Sequence, residues 1–316
     1  MLRFTIRRLL SMVFVLIAIS ILVFLIFNTL PSGDPANRIA GRNQNQAVIA
    51  QVRESWGFND PIYVQYWEMM KKVVNGDLIS YTNQVNVREE IIRGIPRTAS
   101  LVVGAGIIWL SFGVLFGVIS AVYAGRFLDR ALNVLALIGI SLPVFWVGLV
   151  LLYYLADRVA LFPAGGYTEL TQDPLDWAYH LILPWFALSI LFIGFYSRLL
   201  RSNVLDVSNE DYVRTARAKG LRERRILVRH TLRNALIPII TLFGLDFGAA
   251  IGGGAILTES VFGLQGVGQY AADSIGGLDL PPIMGIVLYA AFFIVLLNAL
   301  VDIMYAYLDP RIRLTA

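Results

Sequence analysis

The 316 residues are 57% hydrophobic and 15% charged, with a mean hydropathy of +0.66; soluble domains are roughly a quarter charged, so this is the composition of a polytopic membrane protein. There is no cysteine, which excludes disulfides, thiolate metal sites and thiol nucleophiles, and the two histidines, His180 and His230, stand too far apart in sequence to suggest a metal site. The net charge of +4 could suggest nucleic acid, but the surplus Lys and Arg is better explained by membrane topology.

In chain order, Arg3, Arg7 and Arg8 precede an apolar run at 9–30. It exceeds the roughly 7–15 residues of a signal-peptide core and no clear small-x-small cleavage site follows it, so it reads as an uncleaved first transmembrane helix. Five further runs, near 98–124, 131–156, 180–200, 237–258 and 283–307, are also long enough to cross a hydrocarbon core of ~30 Å as helices. The fourth of the six is the weakest, closely bracketed by His180, Pro184 and Arg198. Period-two alternation, which a barrel would need, is missing. The expected fold is therefore all-α, a polytopic membrane protein with about six transmembrane helices.

With the N-terminus inside, the inside segments hold seventeen of the 26 Lys and Arg, while the short outside loops hold Arg158 alone. The other eight lie in the long segment at 31–97, and long translocated segments are largely exempt from the charge rule. Both termini are expected to be cytoplasmic. The domain reading is a transmembrane helix over 1–30, an extracytoplasmic helical segment over 31–97, and a core over 98–316 of five helices with a cytoplasmic loop at about 198–236. The 31–97 segment opens on LPSGDP, a turn signal. Residues 46–56 and 61–74 have helix-like mixing, Gly76-Asp77 breaks the second, and the whole is expected to cap the membrane exterior.

The loop DYVRTARAKGLRERRILVRHTLRNALIP, 211–238, is the one long basic stretch between apolar flanks. Ser208 to Asp211 has the form of a capping box, with Val207 and Tyr212 spaced as a hydrophobic staple, so a helix should start near Asn209. Lys219 suits the negative end of its dipole, and Gly220 suits the left-handed position that stops it. A second helix, 221–236, should then run to Pro238. Small residues Thr215, Ala216 and Ala218 before the hinge would let a facing surface approach closely. The plainer reading is a stop-transfer loop kept inside by its arginines.

RTARAKG followed by RHTLRNALIP resembles the EAA loop of ABC-importer permeases, in the form found in dipeptide, oligopeptide and nickel permeases, and in particular their B-type subunit. Supporting matches include WGFNDPIYVQYWEMM, NGDL, SLPVFWVGLVLLYYLA, FPAGGY, HLILPW, TESVFGLQGVGQ and DIMYAYLDPRIR. Departures are the inserted Ser32 in LPSGDP, Ile79 after Gly76-Asp77-Leu78, and Gln265-Gly266-Val267-Gly268 where the family has PGxG. The resemblance implies a type I ABC-importer permease fold in a bacterial or archaeal cytoplasmic membrane. It implies that Arg214, Thr215, Ala216, Arg217, Ala218, Lys219 and Gly220 form a coupling loop docking on an ATPase. The implied partners are a second, C-type permease, two ATPase subunits or a fused ATPase, an extracytoplasmic solute-binding protein and membrane lipid. ATP and Mg would be bound by the ATPase chains, with no cofactor on this one.

In the fifth run Gly244, Gly248 and Gly252 recur at i+4 and give one smooth helix face suited to close packing. Gly253 and Gly254 extend it into a flexible run that would tolerate movement at a gate. Asp246 lies mid-span on another face, and a carboxylate there should face the bundle interior or a wet cavity. It would either hold a peptide's amino end or bond a neighbouring helix. Asn133, Ser141, Pro143 and Trp146 in the third run fit helix packing, a proline kink and a pathway wall.

The chain has no G-x-x-x-x-G-K-[ST], so it does not cradle nucleotide phosphates in that manner. An ATP-driven pump would need its ATPase on another polypeptide. The reading is a permease subunit of an ABC importer for peptides, the alternatives being an importer of nickel complexes or other small solutes, or a secondary transporter or channel. The last would show inverted repeats and paired mid-membrane charges, and one mid-span acid without a repeat is all that is found. An intramembrane enzyme would need a Ser/His pair, an Asp pair or a metal set within the spans, and none is convincing.

Overall fold

The computed structural model describes residues 2–29, 36, 46–55 and 57–308; the LPSGDP turn, Asp309, Arg311 and Arg313 lie outside the described residues. Among these residues the chain is helical, and the one β-type pairing is an isolated bridge between Ile79 and Asn86. The helices are α1 (Leu2–Thr29), α2 (Gln46–Ser55), α3 (Ile62–Asn75), α4 (Val87–Val122), α5 (Phe127–Ser141), α6 (Val144–Leu151, continuing as a π turn over Leu152–Arg158) and α7 (Pro174–Ser208). Then come α8 (Asp211–Ala218), α9 (Glu223–Ile226, a π turn over Leu227–Thr231, then Leu232–Ala235), α10 (Ile237–Ala249, with a π turn over Ala250–Gly254), α11 (Ile256–Phe262), α12 (Val267–Gly276) and α13 (Leu280–Leu308).

By length and apolarity, α4, α7, α10 with its π turn, and α13 are each able to cross a membrane. The pair α5 and α6 is a fifth candidate, and α1 offers a shorter apolar stretch at Leu10–Ile26. Two expected spans change character. The run at 131–156 is not one rod: α5 and α6 meet at 99°. Pro143 supplies no N–H and pushes the preceding Leu142 to extended backbone, φ −86 and ψ 129. The kink was legible in the sequence; its size was not. The weak fourth run becomes a 35-residue helix, because Asp173 caps it by accepting from Leu175 N (2.9 Å) and Asp176 N (3.1 Å) with Pro174 in the first turn.

Contacts divide the chain into two compact units, residues 1–98 with 251–256 and 265–316, and residues 99–250 with 257–264. In the first, α1 packs along α13. Its core joins Phe24, Met69, Leu78, Val87, Leu280 and Met284. Ser20 and Tyr66 share a hydroxyl–hydroxyl bond of 2.8 Å, and Phe24 meets the Tyr66 ring edge-on. Buried Asp279 accepts from Ser80 Oγ (2.6 Å), Tyr81 N (2.9 Å) and Thr82 N (3.1 Å), which pins the 77–86 segment to the start of α13. Asn86 caps α4 by accepting from Glu89 N, so that helix begins well before residue 98, the sequence-based boundary.

In the second unit Trp109 is fully buried, stacked on Phe192 at 4.4 Å and edge-on to Phe243. Glycines set the close helix crossings. A Cβ on Gly113 would sit 2.7 Å from Tyr196 Cβ, and one on Gly194 would sit 2.5 Å from the Ala136 carbonyl.

Candidate functional site

The basic loop is built from the inside out. On α8 the residues three apart, Val213 and Ala216, are buried and meet Ile226 of α9, with Val207 and Leu221 packed around them. This small core turns the opposite face outward: Arg214, Thr215, Arg217, Ala218, Lys219 and Gly220 are all exposed. Ala216 is the exception among the seven residues singled out in the loop. Its methyl serves the loop's own core rather than an approaching surface.

The predicted stop at Gly220 is present, with φ +76 and no atom within 4 Å of where a Cβ would lie. Glycine is used there for the left-handed backbone and not for space. The predicted start is different. Ser208 Oγ donates to Val204 O (2.6 Å) and continues α7, and α8 begins at Asp211 behind Glu210, which makes no side-chain cap bond. Four residues behind it in a running helix, Val204 O wins the serine hydroxyl over a cap. The second helix begins at Glu223, two residues later than expected, and contains a π turn.

Glu223 is the residue that sequence reasoning missed. Arg217 Nε donates to its Oε1 (2.7 Å) and Nη2 to its Oε2 (3.3 Å), a two-pronged fork across the Gly220 turn. The bond holds the Glu223 carboxyl below its usual range and raises Arg217. A single acid in a run of arginines was the available signal. Further ties are Asn234 Nδ2 donating to Tyr212 Oη (2.7 Å), Tyr212 Oη donating to His230 O (3.4 Å) and Asn203 Nδ2 of α7 donating to Ala235 O (3.3 Å).

At the loop end of α7 stands a polar knot. Asp129, 3% exposed, accepts from Ser120 Oγ (2.5 Å), Gly125 N (2.7 Å), Asn133 Nδ2 (2.6 Å), and Arg201 Nε and Nη2 (2.7 and 2.8 Å). One carboxylate thus ties the end of α4, the start of α5 and the last third of α7, with its lone pairs filled and its charge matched. The sequence gives Asn133 a packing role, and Asp129 and Arg201, 72 positions apart, carry no sequence signal that they meet.

The predicted pathway residues fall on α10 and its π turn. Asp246 accepts from the Tyr196 hydroxyl of α7 at 2.7 Å, and Tyr196 is fully buried. Gly248 is buried. The smooth face expected through Gly252 does not continue as a straight helix: Gly253 has φ 129, and the backbone turns there before α11. Gly252 touches α13, where a Cβ would fall 2.8 Å from Ile294 Cγ1 and 3.0 Å from Ala290 O. Two sequence motifs meet farther on. Gly166 N of FPAGGY donates to Phe262 O of TESVF (3.0 Å), and a Cβ on Gly165 would fall 2.5 Å from that same oxygen.

His180 Nδ1 lies 2.9 Å from Asp176 O, within its own helix. Among the described residues no group of three or more His, Asp or Glu could hold a metal ion.

Comparison with known proteins agrees with this architecture. Residues 113–314 match the family described as binding-protein-dependent transport system inner membrane component, and residues 1–102 match the membrane component N-terminal family of the same transport systems. A probable peptide ABC transporter permease of Sinorhizobium fredii is 39% identical over 311 residues, covering 98% of this chain and 99% of that one. An oligopeptide transport system permease of Bacillus subtilis is 39% identical over 314 residues, with 98% and 99% covered. A glutathione transport system permease of Salmonella choleraesuis is 37% identical, with 99% of both chains covered. Among solved structures, the inward-facing MetNI methionine ABC transporter matches with a TM-score of 0.56 at 16% identity, covering 69% of this chain and 96% of that one, a likeness of fold. With two family matches that between them span most of its length, the chain belongs to the inner membrane components of binding-protein-dependent transport systems.

Proposed function

We propose that this chain is the peptide-conducting permease subunit of an ATP-binding-cassette importer, inserted in a bacterial or archaeal inner membrane with both termini and the basic loop in the cytoplasm. The observation that carries the reading is the loop itself. A polar element with its own buried core, a left-handed glycine and a forked cross-tie is a rigid body, and a rigid body on a basic loop is suited to being pushed. The outward face of Arg214, Thr215, Ala218 and Lys219 around Gly220 docks on an ATPase chain, which binds ATP and Mg. Forked and point-charge donors there suit carboxylates and backbone carbonyls. The peptide class follows from relatives named for peptide, oligopeptide and glutathione transport.

In this reading the chain pairs with a second, C-type permease and receives substrate from an extracytoplasmic solute-binding protein. It makes and breaks no bonds itself. The Tyr196–Asp246 bond favours a positioning role for Asp246, holding α10 to α7, over capture of a peptide's amino end. Gly248, Gly252, Gly253 and Gly254 supply the adjustable backbone at the gate. Purification of the complex with its ATPase chains, followed by peptide uptake into proteoliposomes, tests the reading. Uptake should be vanadate-sensitive and should need the binding protein. If Gly220→Pro leaves assembly and uptake intact, the docking role is wrong. If Asp246→Asn abolishes uptake of one peptide class while sparing assembly, Asp246 belongs to the substrate site.

A further inference from the structure

We propose that the first unit carries a site for an anionic phospholipid: one acyl chain lies in an apolar groove formed by α1, α3, the start of α4 and α13, and the headgroup phosphate sits on Arg88. The groove has a volume of about 490 Å³ and is open on one side. Its walls are apolar, including Leu16, Ile17, Val73, Ile92, Leu288 and Phe292, and among the described residues Arg88 is the one charged residue that lines it. The Ser20 hydroxyl is already engaged, by Tyr66 and by Ile17 O, each at 2.8 Å.

Arg88 is placed for this by the turn after α3. Gly76, at φ +83, leaves room for it: a Cβ there would lie 2.7 Å from both Cδ and Nη1 of Arg88. The arginine therefore lies flat over the turn, along the groove. Its side chain has no hydrogen-bond or ion-pair partner among the described residues, and two acids of α3 and α4 are paired elsewhere. Glu90 holds Arg93 at 2.6 Å and Glu68 holds Lys71 at 2.7 Å, while Glu89 and Asp77 are exposed and make no ion pair with Arg88.

The choice of occupant follows from charge. The groove runs beside a helix whose outer surface is membrane-like, with Leu10, Val13 and Phe14 from 54% to 73% exposed. Arg88 lines the groove and is itself exposed, so an apolar helix from another protein would fill the walls without pairing the guanidinium. An anionic phospholipid supplies an apolar chain and a phosphate that accepts the guanidinium fork.

The test uses the complete transporter in lipid nanodiscs with photoactivatable lipids carrying a diazirine on the acyl chain. Phosphatidylglycerol should label Ile17, Met70 or Phe292 several times more than phosphatidylcholine does. Arg88→Gln should cut the phosphatidylglycerol label about tenfold or more, the worth of one charge-assisted bond to phosphate. Arg88→Lys should retain part of the label, and Ile92→Trp should lose it by filling the groove with the cation intact. Unchanged elution and partner content show that each variant is folded. Equal labelling by both lipids that is insensitive to Arg88→Gln overturns the site. Crosslinking of these groove residues to a second polypeptide overturns it as well.

Discussion

At residues 211–235 a strongly basic stretch is held by several independent ties: a buried apolar trio, the Arg217–Glu223 fork, the Tyr212–Asn234 bond and the Asn203 bond to Ala235. At residues 250–256 a glycine-rich stretch carries a π turn and a glycine at φ 129, with Gly252 against Ala290 and Ile294 and Ile256 packed on the cluster of Val267, Ala271 and Ile286. The polar segment, with more side-chain bonds of its own, is expected to be the stiffer of the two. Local stability follows the number of independent contacts per residue, and the hydropathy of the segment does not decide it. On the proposed function, the first element would receive the force from an ATPase chain and the second would lie where the path opens.

The contrast can be broken at its foundation. Asp129→Ala should be the most damaging change, because it strands Arg201 without its carboxylate; a loss of about 3 kcal/mol is expected, read as a lower unfolding temperature in detergent. The double variant Asp129→Leu with Arg201→Met should recover much of that loss. Next, Gly252→Leu drives side-chain carbons onto the Ala290 carbonyl and Ile294. It should cost about 2 kcal/mol by overpacking and reduce uptake more than assembly. If uptake survives unchanged, the yielding element lies elsewhere.

Gly220→Ala comes third. The added methyl meets nothing, so only the left-handed backbone resists it, at about 1 kcal/mol, and Gly220→Asn should be milder. Hydrogen exchange across 217–223 would show the loosened turn. The smallest effect belongs to Glu223→Gln on this exposed pair, where salt screening leaves little net stability. Because the Glu223 carboxyl is held low, its contribution is present above the ordinary carboxylate range and is lost as pH falls through the lowered value. Protection of the Gly220 amide, taken relative to its intrinsic exchange rate, should therefore fall in acid in the parent chain and stay level in Glu223→Gln.

The elements that were legible in the sequence are those set by neighbours along the chain. Gly220 after a helix-length polar stretch, Gly76 after an amphipathic one and Pro143 in an apolar run each impose local backbone geometry, and each does so in the structure. What escaped was decided across the fold. Ser208 had two local offers, a cap or a back-bond, and continuation of α7 decided between them. Asp129 and Arg201 are ordinary charges flanking apolar runs until three helices converge on them. Ala216 looked like part of a smooth docking face, and only the position of Ile226 shows that it points inward.

The 99° corner at Leu142–Pro143 carries a consequence for wetting. Ser141 returns its hydroxyl to the Leu137 carbonyl, but a proline at the corner has no N–H to offer the turn before it. Hydrocarbon cannot solvate a carbonyl left open in this way, so any part of the corner that this chain does not cover itself has to meet water or another polypeptide. A cysteine placed at Ser141, in a chain that has none of its own, should therefore react with a membrane-impermeant thiol reagent when water reaches it and fall silent when a partner covers it. That one position would report whether the bend belongs to a wall of the aqueous path or to a seam between subunits.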